Sequence, residues 1–269
     1  MSEFQKIDGI YFSESKKNVS YPEQGNDTYF EIEDKSFWFK HRNLIIEKVL
    51  KKYVPEMIDF YDLGGGNGFV AQKIASMGYS VTLVEAGSGV FNALKRGIDN
   101  VYCADIVGFK STKPNAVVGL FDVIEHFDKP ENVYKSIHEN MPGVSKLILT
   151  VPAYNWLWSD EDIRAGHFRR YTMTSLRKEL NDAGYEVVFS SYFFSFLILP
   201  IFLFRTVPYL LRKMSREQKN KAGIQEHRSS HIGQIQNLVE KLLSVEGSLL
   251  GKIPFGGSII VVAKNKKQI

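Results

Sequence analysis

Four glycines stand within five positions at 64–68, in the stretch Asp62-Leu-Gly64-Gly-Gly66-Asn-Gly68. Such a cluster suits a turn where a ligand lies against the backbone itself, and free N–H groups at the following helix start favour anionic groups. Glu85, an acceptor-only side chain when ionised, suits two neighbouring hydroxyls in a bidentate contact. His126 and His167 are candidate general bases, although a lone histidine is more often structural than catalytic. Between 154 and 171, Tyr154, Trp156 and Trp158 precede Asp160, Asp162, His167, Arg169, Arg170 and Tyr171. Aromatics and cations converging at one place would suit an acidic or phosphate-bearing acceptor; the structural alternative is a packed loop with Arg–Asp pairs.

These residues need elements to hold them. Phe37, Leu44, Ile45 and Val49 or Leu50 recur at helical spacing and predict a helix running into a first strand at 57–63. The stretch 69–78 predicts a helix stopped by Gly78, and "SVTLVEA" a buried strand finishing in Glu85. The cycle repeats with a helix near 89–97, strands "VYCADI" and "AVVGLFDV", a helix from 130 to 140, strand "SKLILTVP", helix "TSLRKELNDAG" and strand "YEVVFSS". This alternation predicts an α/β, doubly wound, mostly parallel sheet with helices on both faces, and ligands at the carboxyl ends of its strands. From Tyr192 the rhythm breaks: "YFFSFLILPIFLF", "RTVPYLL", a basic stretch and the amphipathic "IGQIQNLVEKLLSVEGSLL" precede a last strand "SIIVVAK". The expected organisation is a helical cap over 1–54, a Rossmann-like core over 55–191, an apolar and basic helical insertion over 192–256, and the final strand and tail over 257–269.

Two frames fit the glycines. Gly66, Gly68 and Ala71 can be set as a dinucleotide G-x-G-x-x-G/A fingerprint, with Glu85 near the distance of a ribose contact. Framed from Asp62, the stretch reads D-x-G-x-G-x-G and resembles motif I of the class I S-adenosylmethionine-dependent methyltransferases. Glu85, "ADI" at 104–106 and "FDVIEHF" at 121–127 follow in order, the last similar to the family's D-V-x-E-H stretch. The resemblance implies a seven-stranded sheet and S-adenosylmethionine as cofactor. It places the methionine part of the cofactor against Gly64, Gly66 and Gly68, with Asp62 anchoring its ammonium directly or through water. It gives Glu85 the ribose hydroxyls and Asp105 the adenine amino group, with Ile106 and Phe121 as apolar ring contacts and Asp122 beside them. In similar small-molecule enzymes an N-terminal aromatic helix covers the cofactor, and an arginine placed like Arg42 pairs with its carboxylate. Trp38, Tyr154, Trp158, Arg170 and Tyr171 are the candidate acceptor contacts. The stretch "LWSxxDxxxGHxRRYT" also resembles a subgroup encoded among enzymes that modify lipids and surface polysaccharides.

The expected function is methyl transfer to a small-molecule or lipid-linked acceptor, at oxygen. A non-catalytic cofactor-binding sensor or scaffold and an NAD-dependent oxidoreductase are the alternatives, the second lacking a use for "FDVIEHF". Nucleic acid is not expected as a partner, because "DVIE" stands where an N-P-P-Y amino-methylating motif would follow the fourth strand. A single cysteine, Cys103, builds neither an internal disulfide nor a cysteine zinc site, so no metal is expected. The start "MSEFQKIDGIYFSESKK" has no apolar core of a secretion signal, giving a cytoplasmic expectation. The net charge of +4 is concentrated in 212–228, with six Lys/Arg against two acids. The 13 apolar-rich residues 192–204 ahead of it are short for a membrane span of about 20. They predict membrane-surface contact through 192–228, with a core helix or homodimer interface as the alternative cover.

Overall fold

The computed structural model describes residues 4–13, 30–56, 58–214 and 245–266. Nine strands form one sheet in the order β1-β2-β5-β4-β3-β6-β7-β9-β8. They are β1 (Phe4–Ile7), β2 (Ile10–Ser13), β3 (Asp59–Leu63), β4 (Ser80–Glu85), β5 (Asn100–Cys103), β6 (Ala116–Phe121), β7 (Val144–Pro152), β8 (Tyr185–Phe193) and β9 (Ser258–Asn265). Strands β3 to β7 pair in parallel, and β9 runs antiparallel between β7 and β8. The seven strands expected from the alternation are β3 to β9. The two additional ones are an N-terminal hairpin whose second strand pairs in parallel with β5. Its two-residue turn is Asp8-Gly9, both at positive φ (48° and 89°), as a tight hairpin demands. The aspartate–glycine pair between short apolar runs was the available signal.

Helices cover both faces because the strands are apolar on both. On one side lie α1 (Phe37–Tyr53), α2 (Phe69–Ser76) and α3 (Gly89–Lys95), which bury Ile45, Ile46, Val49, Leu50, Val70, Ile74 and Val90 with Phe60, Leu83 and Val117. On the other lie α4 (Glu131–Asn140) and α6 (Met173–Asp182), whose Val133, Tyr134, Ile137, Leu176 and Leu180 pack on Val118, Leu120 and Leu149. Short α5 (Asp160–Ala165) sits between β7 and α6.

Strand β8 runs on to Phe193, two residues into the stretch assigned to the insertion. Beyond it, Ile198–Ile201, a π-helical turn at Phe202–Thr206 and Val207–Met214 follow without a break and are here called α7. The cations from Arg216 to Arg228 and most of the amphipathic run at 232–250 lie outside the described residues. One buried carboxylate ties the two described ends of the insertion to the core. Glu246, 1% exposed, accepts from His41 of α1 (2.7 Å), from the backbone N–H of Phe194 (2.8 Å) and Ser195 (2.6 Å), and from the Ser195 hydroxyl. Burial pushes this carboxyl up, but those hydrogen bonds prevail and hold it below the usual carboxylate range. Glu246→Ala is expected to cost about 3–5 kcal/mol, the scale for removing one partner of a buried ion pair. Urea unfolding should show a lower midpoint at unchanged slope, with a smaller loss in Glu246→Gln, which retains an acceptor oxygen.

Candidate active site

A cavity of about 1460 Å³ opens at the carboxyl ends of the parallel strands. A pocket for one small ligand typically occupies about 300–1,000 Å³, so this one has room for two reactants. Its floor is the glycine turn between β3 and α2. Gly66, at φ +52°, has open space where a side chain would start. Gly68 has a different reason to be glycine: at φ +77°, a Cβ would lie 2.9 Å from Ala93 of α3, and it faces that helix rather than the cavity. Gly64, also at positive φ, lines the cavity.

Asp62 stands at the end of β3, 1% exposed, with its Oδ2 lacking any hydrogen-bond partner. Burial pushes its carboxyl up to about 7; Arg42 pulls against that shift and the Glu85 charge adds to it. Glu85, ending β4, accepts from the Gly66 N–H (3.0 Å) and the Gly87 N–H (2.7 Å), so the carboxylate is aimed from both sides of the turn. Two hydrogen bonds leave further lone pairs on a carboxylate. Burial raises its pKa, opposed by those N–H groups. Asp105 accepts from the Val107 N–H (2.9 Å), and Ile106 and Phe121 line the cavity wall.

Past β6 the chain turns sharply at Asp122, a non-glycine residue at φ +57°, held there by Arg42 (2.6 Å) and the Thr150 hydroxyl (2.9 Å). The Arg42 side chain is 12% exposed, and its Nε has no partner. Trp38, one turn earlier on α1, lines the cavity and stacks on Phe194 with 3.8 Å between ring centroids.

The opposite wall carries the two histidines, their rings 4.8 Å apart in a T-shaped arrangement. His167 bonds through Nδ1 to Asp162 Oδ1 (2.9 Å). Asp162, 0% exposed, also takes a bidentate pair from Arg170 (2.6 and 2.9 Å) and the Ser159 N–H (2.9 Å) as part of the capping box of α5. Burial raises its pKa, but the hydrogen bonds of His167 and Arg170 win and bring it to about 2. An ionised carboxylate only accepts, so Nδ1 of His167 is the donor and Nε2 is the nitrogen left to exchange a proton. His126 is driven down to about 4 by burial and the His167 charge, and is neutral at pH 7. Glu125, beside them and wholly buried, has neither carboxylate oxygen hydrogen-bonded, and burial raises its pKa strongly. It stands within "FDVIEHF", where nothing in residue order tells which way it points.

Most candidate residues therefore converge. Arg42, Asp62, Gly64, Gly66, Glu85, Asp105, Ile106, Phe121, Asp122, His126, His167, Trp38 and Arg170 all line the cavity. Gly68, Tyr154, Trp158 and Tyr171 do not. An isolated bridge between Ala153 and Tyr171 folds this loop back on β7, so Tyr171 is 2% exposed in the core and Tyr154 stacks between Trp156 and Tyr192.

Residues 38–189, more than half of the chain, match the family model described as "Methyltransferase domain", and the chain belongs to that family. It is an S-adenosylmethionine-dependent class I methyltransferase. No curated protein matches its sequence. Among solved structures it is similar to a Haloferax volcanii protein in complex with the Trm112 methyltransferase activator, at 13% identity and TM-score 0.56, covering 93% of this chain and 99% of that one. The plantazolicin methyltransferase BamL, in complex with a triazolic desmethylPZN analog and SAH, is similar at 15% identity and TM-score 0.52, over 92% of each chain. The [4+2]-cyclase SpnF is similar at 13% identity and TM-score 0.52, covering 93% of this chain and 99% of that one. These likenesses establish the shared fold.

The Asp162 carboxylate also links the site to acid stability. Because its folded pKa lies below the ordinary 3.8, its contribution is complete above pH 3.8 and is lost as pH falls toward about 2. The loss is expected to be about 2 kcal/mol. Urea unfolding across this range should show that component disappear in Asp162→Asn, compared with wild type.

Proposed function

We propose that this methyltransferase acts on a hydroxyl oxygen of a small-molecule or lipid-linked acceptor, with His167 as general base. The observation behind this reading is the Asp162–His167 pair: a buried ionised carboxylate holds the imidazole through Nδ1, which leaves Nε2 to act as the base, on a ring that lines the cavity. Methylating a hydroxyl requires a proton acceptor, whereas a neutral amine with a free lone pair does not.

The cavity also fits the cofactor. The orphaned Asp62 Oδ2 and Arg42 Nε and the open space above Gly66 support an amino-acid moiety lying over the glycine turn. In this reading Asp62 takes its ammonium, Arg42 its carboxylate, Glu85 the ribose hydroxyls and Asp105 the adenine amino group, with Ile106 and Phe121 against the ring. When bound, S-adenosylmethionine supplies a methyl carbon activated by the adjacent sulfonium. His167 Nε2 takes the proton of the acceptor hydroxyl, and Asp162 stabilises the imidazolium formed. His126, neutral at pH 7, buttresses the His167 ring, while the 30–38 segment and α7 restrict water.

His167→Ala is expected to lower kcat about 100-fold or more, with the affinity for S-adenosylhomocysteine unchanged by calorimetry. Unchanged turnover would remove the base. Glu125, His126 and His167 bring their ligand atoms within 4.8 Å of one another, which supports a second reading in which a divalent cation holds the acceptor oxygen. Turnover abolished by EDTA and restored by a divalent cation would favour it. Asp62 makes a separate prediction about binding. With its carboxyl near 7 in the free protein, acidification neutralises it and weakens its hold on an ammonium. Affinity for S-adenosylhomocysteine should fall by up to about tenfold per pH unit below 7, and Asp62→Asn should flatten that slope. Glu85→Ala should weaken binding by about 1–3 kcal/mol at constant pH.

A further inference from the structure

Helix α7 packs on the domain by one face only. Thr206 is 1% exposed and Ile201 7%, Arg205 lies over the Trp38 ring at 6.0 Å, and the half-exposed Arg212 pairs with Asp160. The outward stripe of this helix and of the turn before it is apolar at helical spacing, with Phe196, Leu199, Leu203, Phe204, Leu210 and Leu211 all exposed, Phe204 to 71%. The window Ser195–Arg212 has a mean hydropathy of 1.4 and is 17% buried. A span across a bilayer would break the tie to Asp160 and the edge-on contact of Phe202 with Trp156 (5.7 Å), whereas a helix lying flat in the interface keeps both.

The stripe does not end at the surface. Phe204 belongs to the cavity lining as well, together with Leu197, Pro200 and Ile201 of the same segment, so the outward stripe and the cavity that holds His126 and His167 share this residue. The sequence continues from this helix into its cationic stretch, six Lys/Arg against two acids over 212–228, and cations beside a buried apolar face gain from anionic lipid. A second copy of the chain could cover the leucines, but it would also cover Phe204, which lines the cavity.

We propose that the outer face of α7 docks on an anionic lipid bilayer, and that the acceptor hydroxyl is borne by a lipid entering the cavity past Phe204. The substrate half rests on the hydroxyl reading above; the docking half does not. Flotation with phosphatidylcholine vesicles, with and without phosphatidylglycerol, tests the docking. The wild-type protein is expected to float, more so with phosphatidylglycerol. Leu199→Glu combined with Leu203→Glu should lower the bound fraction about tenfold or more, with S-adenosylhomocysteine affinity intact as the control for folding. Absence of flotation overturns the docking, whether light scattering gives a monomer or a dimer split by the double substitution, which assigns the stripe to a second copy. Methyl-labelled S-adenosylmethionine incubated with a total lipid and metabolite extract tests the substrate. Label in the organic phase is expected, and label confined to water-soluble products overturns a lipid acceptor. His167→Ala should float like wild type, so failure of the base and failure of the docking are separately visible.

Discussion

A carboxylate without access to water sets the terms for the wall that carries the histidines. Asp162 is sealed from solvent, and a bare charge there would be prohibitive. The chain answers with a guanidinium in bidentate contact, an imidazole and a backbone N–H from its own helix cap. Each partner is thereby fixed in turn. Arg170 also reaches the Ala153 carbonyl, Tyr171 exchanges backbone bonds with Pro152 and Tyr154, and Phe168 donates to the Glu125 carbonyl at 2.8 Å. The loop is thus strapped to the ends of β6 and β7 together, and His167 is held across from His126 by its bond to that carboxylate.

Three strand ends on the cavity side of the sheet share a backbone device. Shortly after β6, β7 and β8 the chain passes through a non-glycine residue at positive φ: Asp122 at 57°, Tyr154 at 61° and Phe194 at 61°. Such conformations are uncommon outside glycine and persist only where the surroundings compel them. At Asp122 the compulsion is the pair with Arg42 and Thr150; at Phe194 it is the N–H given to Glu246 and the stacking on Trp38. Of the three, Asp122 lines the cavity, where its turn carries the Arg42 pair into the wall.

The alternating part of the fold was legible because buried parallel strands are continuous apolar runs and their helices have one apolar stripe. Asp62, the glycines, Glu85 and Asp105 were legible because their order along the chain coincides with successive strand ends. Facing was not. Arg170 and Tyr171 are neighbours of the right chemical type, yet one is committed to Asp162 and the other is turned into the core by a single bridge to Ala153. Glu125 and Glu246 went unassigned for the same reason: an acid looks alike in sequence whether it faces water, a ligand or a buried histidine 205 positions away. The hairpin was missed because four-residue strands carry too few positions for a period to show.

That hairpin changes what the sheet offers to other molecules. An open strand edge is a template for pairing with another chain, and proteins blunt it with short, charged or bulged strands. Here β1 caps one edge with four residues including Lys6, three of them exposed, while β8 on the other edge is interrupted by a bulge between Val187 and Phe189. With both margins unsuited to strand addition, the sheet itself is protected from growing into fibres. Self-association through backbone hydrogen bonding is disfavoured, and contact with other molecules is left to side-chain surfaces.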